Sequence, residues 1–139
     1  MTTVHANSAQ DAIGRIENML AMTGLDIPVS ALRDYLVSAI DLVVQLERIP
    51  GGRRVCSSVC QVEEVRDGRL VLGEIYRFEQ AGVDQDGFAH GAFHAAGLKP
   101  RLLRSMRARG FDLKEELFEK GSIGEVSGMP PSIHQEPEA

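Results

Sequence analysis

The chain has 139 residues, 43% of them apolar, enough for one domain with its own core. Its 15 Lys and Arg against 20 Asp and Glu give a formal charge of −5, which argues against the basic footprint of a nucleic-acid binder. No apolar run reaches bilayer-spanning length, two cysteines do not make a disulfide framework, and no charged start leads into the apolar stretch of a secretory signal, so a bacterial cytoplasmic protein is expected.

Thr2-Thr3-Val4-His5 is rich in β-branched residues and reads as a short strand that turns through Asn7 and Ser8 into a helix. Junctions at the carboxyl ends of strands are where open α/β sheets hold ligands. Ser8, with Asp11 three residues on, has the form of a capping box. Ala9, Ala12, Ile13, Ile16, Met19 and Leu20 recur at helical spacing, and Gly24 closes the helix. A second helix is expected from Pro28, with Leu32, Tyr35, Leu36 and Ala39 on its inner side.

The period then shortens. Asp41-Leu42-Val43-Val44-Gln45-Leu46 reads as a buried strand, Pro50-Gly51-Gly52 as a turn and residues 55–65 as a second strand. Asp67-Gly68 is a hairpin signal. Leu70, Leu72, Ile75 and Phe78 mark the return strand, whose spacing slips around Gly73, where a bulge is expected. Residues 80–87 read as a loop and 88–96 as another strand. Pro100 opens a helix with Leu102, Leu103 and Met106 inward, ended by Gly110, and residues 113–118 make a final short helix. Glycine and proline crowd the end of the chain, so residues 120–139 are expected to be a disordered tail.

Thr3-Val4-His5-Ala6-Asn7-Ser8 followed by Asp11-Ala12-Ile13 and Arg15-Ile16-Glu17 resembles the His box of the ATPases that drive type II and type IV secretion and pilus assembly. The closest branch is the CpaF type, the motor of Tad/Flp pili. The similarity continues through residues 38–46, Arg53-Arg54-Val55, Phe78-Glu79-Gln80, Gly82-Val83-Asp84, and the series Gly87, Gly91, Phe93, Ala95, Gly97 and Pro100. It covers roughly residues 1–119, in order. The family's P-loop and acidic Walker B strand lie upstream of the His box, and no Gly-x-x-x-x-Gly-Lys-[Ser/Thr] is present here.

The resemblance implies an α/β fold. The chain would be the carboxy-terminal part of a RecA-like P-loop ATPase domain, a mixed sheet with flanking helices that is incomplete without its upstream half. It implies a fragment of an ATP-hydrolysing motor, inactive alone. ATP and Mg2+ would be cofactors of the parent family, not of this chain. The partners would be other subunits of a hexameric ring and the platform proteins of the inner membrane, at whose cytoplasmic face the motor would act. The rival readings are a freestanding module that docks on an intact motor, and an unrelated small binding protein.

The resemblance puts His5 near the nucleotide's terminal phosphate, as a catalytic residue coupling hydrolysis to motion. An imidazole that donates to phosphate and titrates near neutrality suits that role. Thr3, Asn7 and Ser8 flank it, Asn7 able to order the turn and Ser8 to cap the helix. Arg15 sits at the motif's arginine position, where it would bridge to an acid or a neighbouring subunit, or simply lie on the surface. Cys56 and Cys60 on a strand are about 13 Å apart at roughly 3.3 Å per residue, beyond the reach of a disulfide or a shared zinc. His90 and His94 lack the glutamate of a metalloprotease helix, and Gly91 stands in its place. Lys99, Arg101, Arg104, Arg107 and Arg109 read as the solvated face of a helix.

Overall fold

The first helix starts where the cap chemistry places it. In the computed structural model, which describes residues 1–24 and 26–128, Ser8 Oγ accepts the Asp11 N–H at 3.0 Å. The Asp11 carboxylate accepts the Asn7 N–H at 2.9 Å, one residue further back than a capping box reaches. Helix α1 spans Ala9–Ala21 and buries Ala9, Ala12 and Ile13, while Met19 is left half exposed. Helix α2, Val29–Ala39, follows directly on Pro28. It buries Leu32 and Leu36, one turn apart, but Tyr35 and Ala39 face solvent, so its inner stripe is narrower than its apolar spacing suggests. Arg33 of α2 donates to Glu17 of α1 at 2.7 Å and ties the pair together.

Five strands follow: β1 Leu42–Arg48, β2 Arg54–Arg66, β3 Arg69–Val83, β4 Ala89–Ala95 and β5 Gly121–Val126. They form one sheet in the order β1-β2-β3-β4-β5, with each neighbouring pair antiparallel. The described residues are therefore not part of a RecA-like mixed sheet, and that expectation is corrected. The connections explain why. Asp67 and Gly68 alone join β2 to β3, and residues 49–53 and 84–88 join the flanking pairs. Parallel neighbours need crossovers of a dozen or more residues, so turns this short permit only antiparallel pairing. Asp67 (φ 50°) and Gly68 (φ 70°) both take the left-handed conformation that a tight two-residue hairpin demands.

The strand expected at residues 2–5 is absent: residues 1–6 are irregular, and β-branched residues do not hold a strand without a ladder to join. Strand β1 is an edge strand, not a buried one, with Val44 and Leu46 more than half exposed. Strand β3 runs on through Gln80–Val83, where a loop was expected, because β4 pairs with it there. The bulge opposite β2 falls at Ile75, between the pairs Val59–Tyr76 and Cys60–Glu74, and drives Ile75 into the core at 1% exposure. Within the expected disordered tail, Gly121–Val126 forms β5 on the free edge of β4 and buries Val126. Backbone pairing there offsets the scarcity of apolar side chains. Residues 129–139 lie outside the described residues.

Three apolar clusters fix the layers. Ile13, Leu36, Val62 and Leu70 join α1 and α2 to one face, with Val43 packed against them. Ile75, Leu103 and Phe118 join helix α3, Leu102–Ala108, and the 3-10 turn Glu115–Phe118 to the sheet, with Leu42 and Val59 alongside. Leu42 and Val43 are adjacent in an extended strand, so these helix layers lie on opposite faces. Ile49, Val55, Ala89 and Val126 form the third cluster with the Phe78–Phe93 ring pair. It brings the β1–β2 turn onto β4, where the Ala89 N–H donates to the Pro50 carbonyl at 3.0 Å. Gly51 (φ 84°) is required there, since a Cβ would lie 2.4 Å from the Phe88 ring.

Ile13→Ala is expected to cost about 3 kcal/mol of unfolding free energy, as deletion of a fully enclosed branched side chain does. Met19→Ala on the same helix is expected to stay within about 0.5 kcal/mol of the parent. Urea denaturation followed by circular dichroism checks both; equal effects would mean that the α1 face is wrongly assigned.

Candidate functional site

The residues singled out at the start of the chain gather around one carboxylate. Asp11 accepts the Asn7 N–H and the Arg15 guanidinium, the latter at 3.2 Å, while its own N–H is held by Ser8. The Asn7 N–H, then Arg15, hold its carboxyl below the ordinary range, and His5 adds a small contribution. His5, Asn7 and Ser8 are exposed on this lead-in, with Thr3 exposed just upstream. The carbonyl of Ala6 accepts from Gln45 Nε2 of β1 at 3.0 Å and pins the lead-in to the sheet. Arg15 thus pairs within its own helix, and Asp11, read from sequence only as a cap, is the centre of the group.

The Asn7 and Asp11 amides that would face a phosphate are taken, and the Asp11 carboxylate repels it. Among the described residues no group of three or more His, Cys, Asp or Glu could hold a metal ion.

Cys56 and Cys60 lie in β2 opposite Leu46 and Val43, both as free thiols, and burial pushes both thiols up. His90 and His94 lie in β4 opposite Gly82 and Arg77; His94 Nε2 is 3.5 Å from the Glu79 carboxylate.

In the basic segment around α3, Lys99, Arg101 and Arg107 are held by partners. Arg101 donates to the carbonyl of Val62, and its N–H donates to the buried Gln61 side chain at 3.0 Å, which seats α3 on the sheet. Lys99 and Arg107 both grip Glu115, and Arg107 also approaches Asp112 at 3.8 Å. The Lys99 and then the Arg107 hydrogen bonds bring the Glu115 carboxyl down to about 2. This clasp holds the 3-10 turn over an apolar cleft of about 240 Å3 walled by Leu42, Ile75, Tyr76, Leu103 and Phe118. The Tyr76 hydroxyl donates to the Leu117 carbonyl at 2.9 Å. Sequence reading missed the cleft, although Leu113, Leu117 and Phe118, recurring just after a helix, were its signal.

No family model matches the chain. Over 72 residues, 52% of its length, the chain is 33% identical to a probable conjugal transfer protein TrbB of Sinorhizobium fredii (strain NBRC 101917 / NGR234). The match spans about a fifth of that relative, 21% of its length. No helix among the described residues is long and apolar enough to cross a membrane.

A depressed carboxyl stabilises the fold above its unfolded pKa and loses that contribution as pH falls toward its folded value. For Glu115 the window runs from about 4.5 down to about 2. Thermal melts across that range are expected to show an acid-linked loss, with the Tyr76 environment changing early. Glu115→Gln is expected to lessen that pH dependence, with the lowered Asp11 carboxyl still contributing; an unchanged profile would place the acid sensitivity elsewhere.

Proposed function

We propose that this chain serves a type IV secretion-related machine, as the carboxy-terminal portion of a conjugal-transfer or pilus-assembly motor of the CpaF kind. The 72-residue match to a conjugal transfer protein carries the reading, and the ordered series from the Thr3–Ser8 box to Pro100 supports it. The chain works alongside the subunits of a ring at the inner membrane and does not hydrolyse ATP alone, since it has no P-loop. His5 is its coupling residue: it is exposed on a lead-in anchored just after it, by Gln45 at Ala6 and by the Ser8–Asp11 cap, and it is free to meet a group supplied from outside the chain. Thr3, Asn7, Ser8 and Arg15 set its position.

One observation favours a second reading, a module that docks on an intact secretion ATPase and modulates it. Ile13, Val62 and Ile75 are almost fully enclosed by this chain's own described residues.

Calorimetric titration of the chain with Mg-ATP is expected to show no binding; a micromolar dissociation constant would overturn the proposal. Residues 1–128 joined behind the P-loop-bearing half of a conjugal-transfer ATPase are expected to support turnover. His5→Ala in that chimera is expected to lower turnover about 10-fold, the scale of a lost positioned donor, with nucleotide affinity changed far less. His90→Ala and His94→Ala are expected to be silent. An inactive chimera, with the free chain altering turnover of an intact motor, would decide for the docking module.

A further inference from the structure

Strand β1 forms one edge of the sheet, and none of the described strands covers its outer side. Leu42–Leu46 carries neither charge nor proline, the usual guards of an open edge. Leu42, Val44, Leu46 and Arg48 alternate onto one face. Leu42 packs beside α3, but Val44 and Leu46 are 55% and 65% exposed. At the end of this stripe Arg48 stands directly opposite Arg54 of β2, both exposed. Directly opposed like charges destabilise a strand pair. Among the described residues neither arginine is in an ion pair, whereas at the other hairpin, where Arg66 opposes Arg69, Glu64 pairs with Arg66.

We propose that the outer edge of β1 takes an extended acidic segment of a partner protein as an added strand. Its apolar side chains cover Val44 and Leu46, and a carboxylate sits between Arg48 and Arg54. Charge argues for a partner over a second copy. Antiparallel pairing of β1 with itself offers only Leu42, Val44, Leu46 or Arg48 on that face, because Glu47 points to the other. A second copy therefore leaves both arginines without a counter-ion. The inference is independent of the proposed motor role.

The test uses the full chain and two fluorescein-labelled synthetic peptides that present, on one strand face, two valines next to a glutamate in one and next to a lysine in the other, with serine at the intervening positions. Anisotropy is expected to show saturable binding of the glutamate peptide alone, and amide exchange to slow across Leu42–Arg48. The double variant Arg48→Glu, Arg54→Glu is expected to bind the glutamate peptide at least 10-fold more weakly and to gain affinity for the lysine peptide. If circular dichroism shows that this variant is misfolded, Arg54→Gln with the same peptides is expected to give a partial loss. Equal affinity for both peptides, no binding, or protection on β5 instead of β1 would overturn the proposal. Protection of β1 that rises with protein concentration in the absence of peptide would assign the edge to a second copy and overturn it equally.

Discussion

The register of β2 against its neighbours decides where every helix sits. Along this strand Val59 and Gln61 face one side while Cys60 and Val62 face the other. Val62, with no exposed surface, sits beneath α1 and α2. Gln61, buried on the opposite face, holds the start of α3. A slip of one residue would put a glutamine under the first layer and a valine under the second, reversing both. The Asp67-Gly68 turn prevents this by fixing the pairing from Arg66–Arg69 upward, and two irregularities then tune it. One leaves Glu63 as the extra residue of β2, within reach of Gln61; the other pushes Ile75 into the core beneath α3.

Local chemistry was legible in the sequence wherever a residue type has one dominant use. Ser8 caps α1, Pro28 precedes α2, and Asp67-Gly68 turns a hairpin, each because few other conformations suit those residues. Strand partners were not legible, because an apolar run such as Leu42-Val43-Val44 reads the same at an edge as at the centre of a parallel sheet. The family resemblance then decided for a mixed sheet, while the short connections pointed to the meander that is present. Strand β5 was hidden for another reason. Ser122, Gly124 and Glu125 add little apolar surface, and their order comes from the backbone of β4. At the candidate site, the residue types near His5 were legible but their arrangement was only partly so. The Asp11–Arg15 pair follows from i,i+4 spacing on α1, whereas the bond from the Asn7 N–H depends on the irregular path into the helix, which no period encodes.

Charge is unevenly settled across the molecule. Around α3, Lys99, Arg101 and Arg107 each have a counter-ion or a carbonyl, and the three-membered clasp at Glu115 adds to the burial of Phe118 in fastening a turn only four residues long. Exposed ion pairs taken singly contribute little. One carboxylate shared between two cations held by different segments does more, because it fixes both ends of the connection between α3 and the 3-10 turn. The end of β1 is the reverse case. Arg48 and Arg54 are brought together by strand pairing and offset by nothing in the described residues.

These two regions bear differently on the lead-in that carries His5. The α3 cleft lies across the sheet from α1, so an occupant there reaches His5 only through the β strands. Strand β1 touches the lead-in directly, because Gln45 Nε2 holds the carbonyl of Ala6, the residue next to His5. Gln45 alternates with Val44 and Leu46, so its side chain serves the lead-in from one face while theirs stay open on the other. One short strand therefore joins the unsatisfied edge of the sheet to the segment whose motif resembles a motor's coupling box. A displacement of β1 by a neighbour along its outer side would reach the residue beside His5 through this side-chain hydrogen bond.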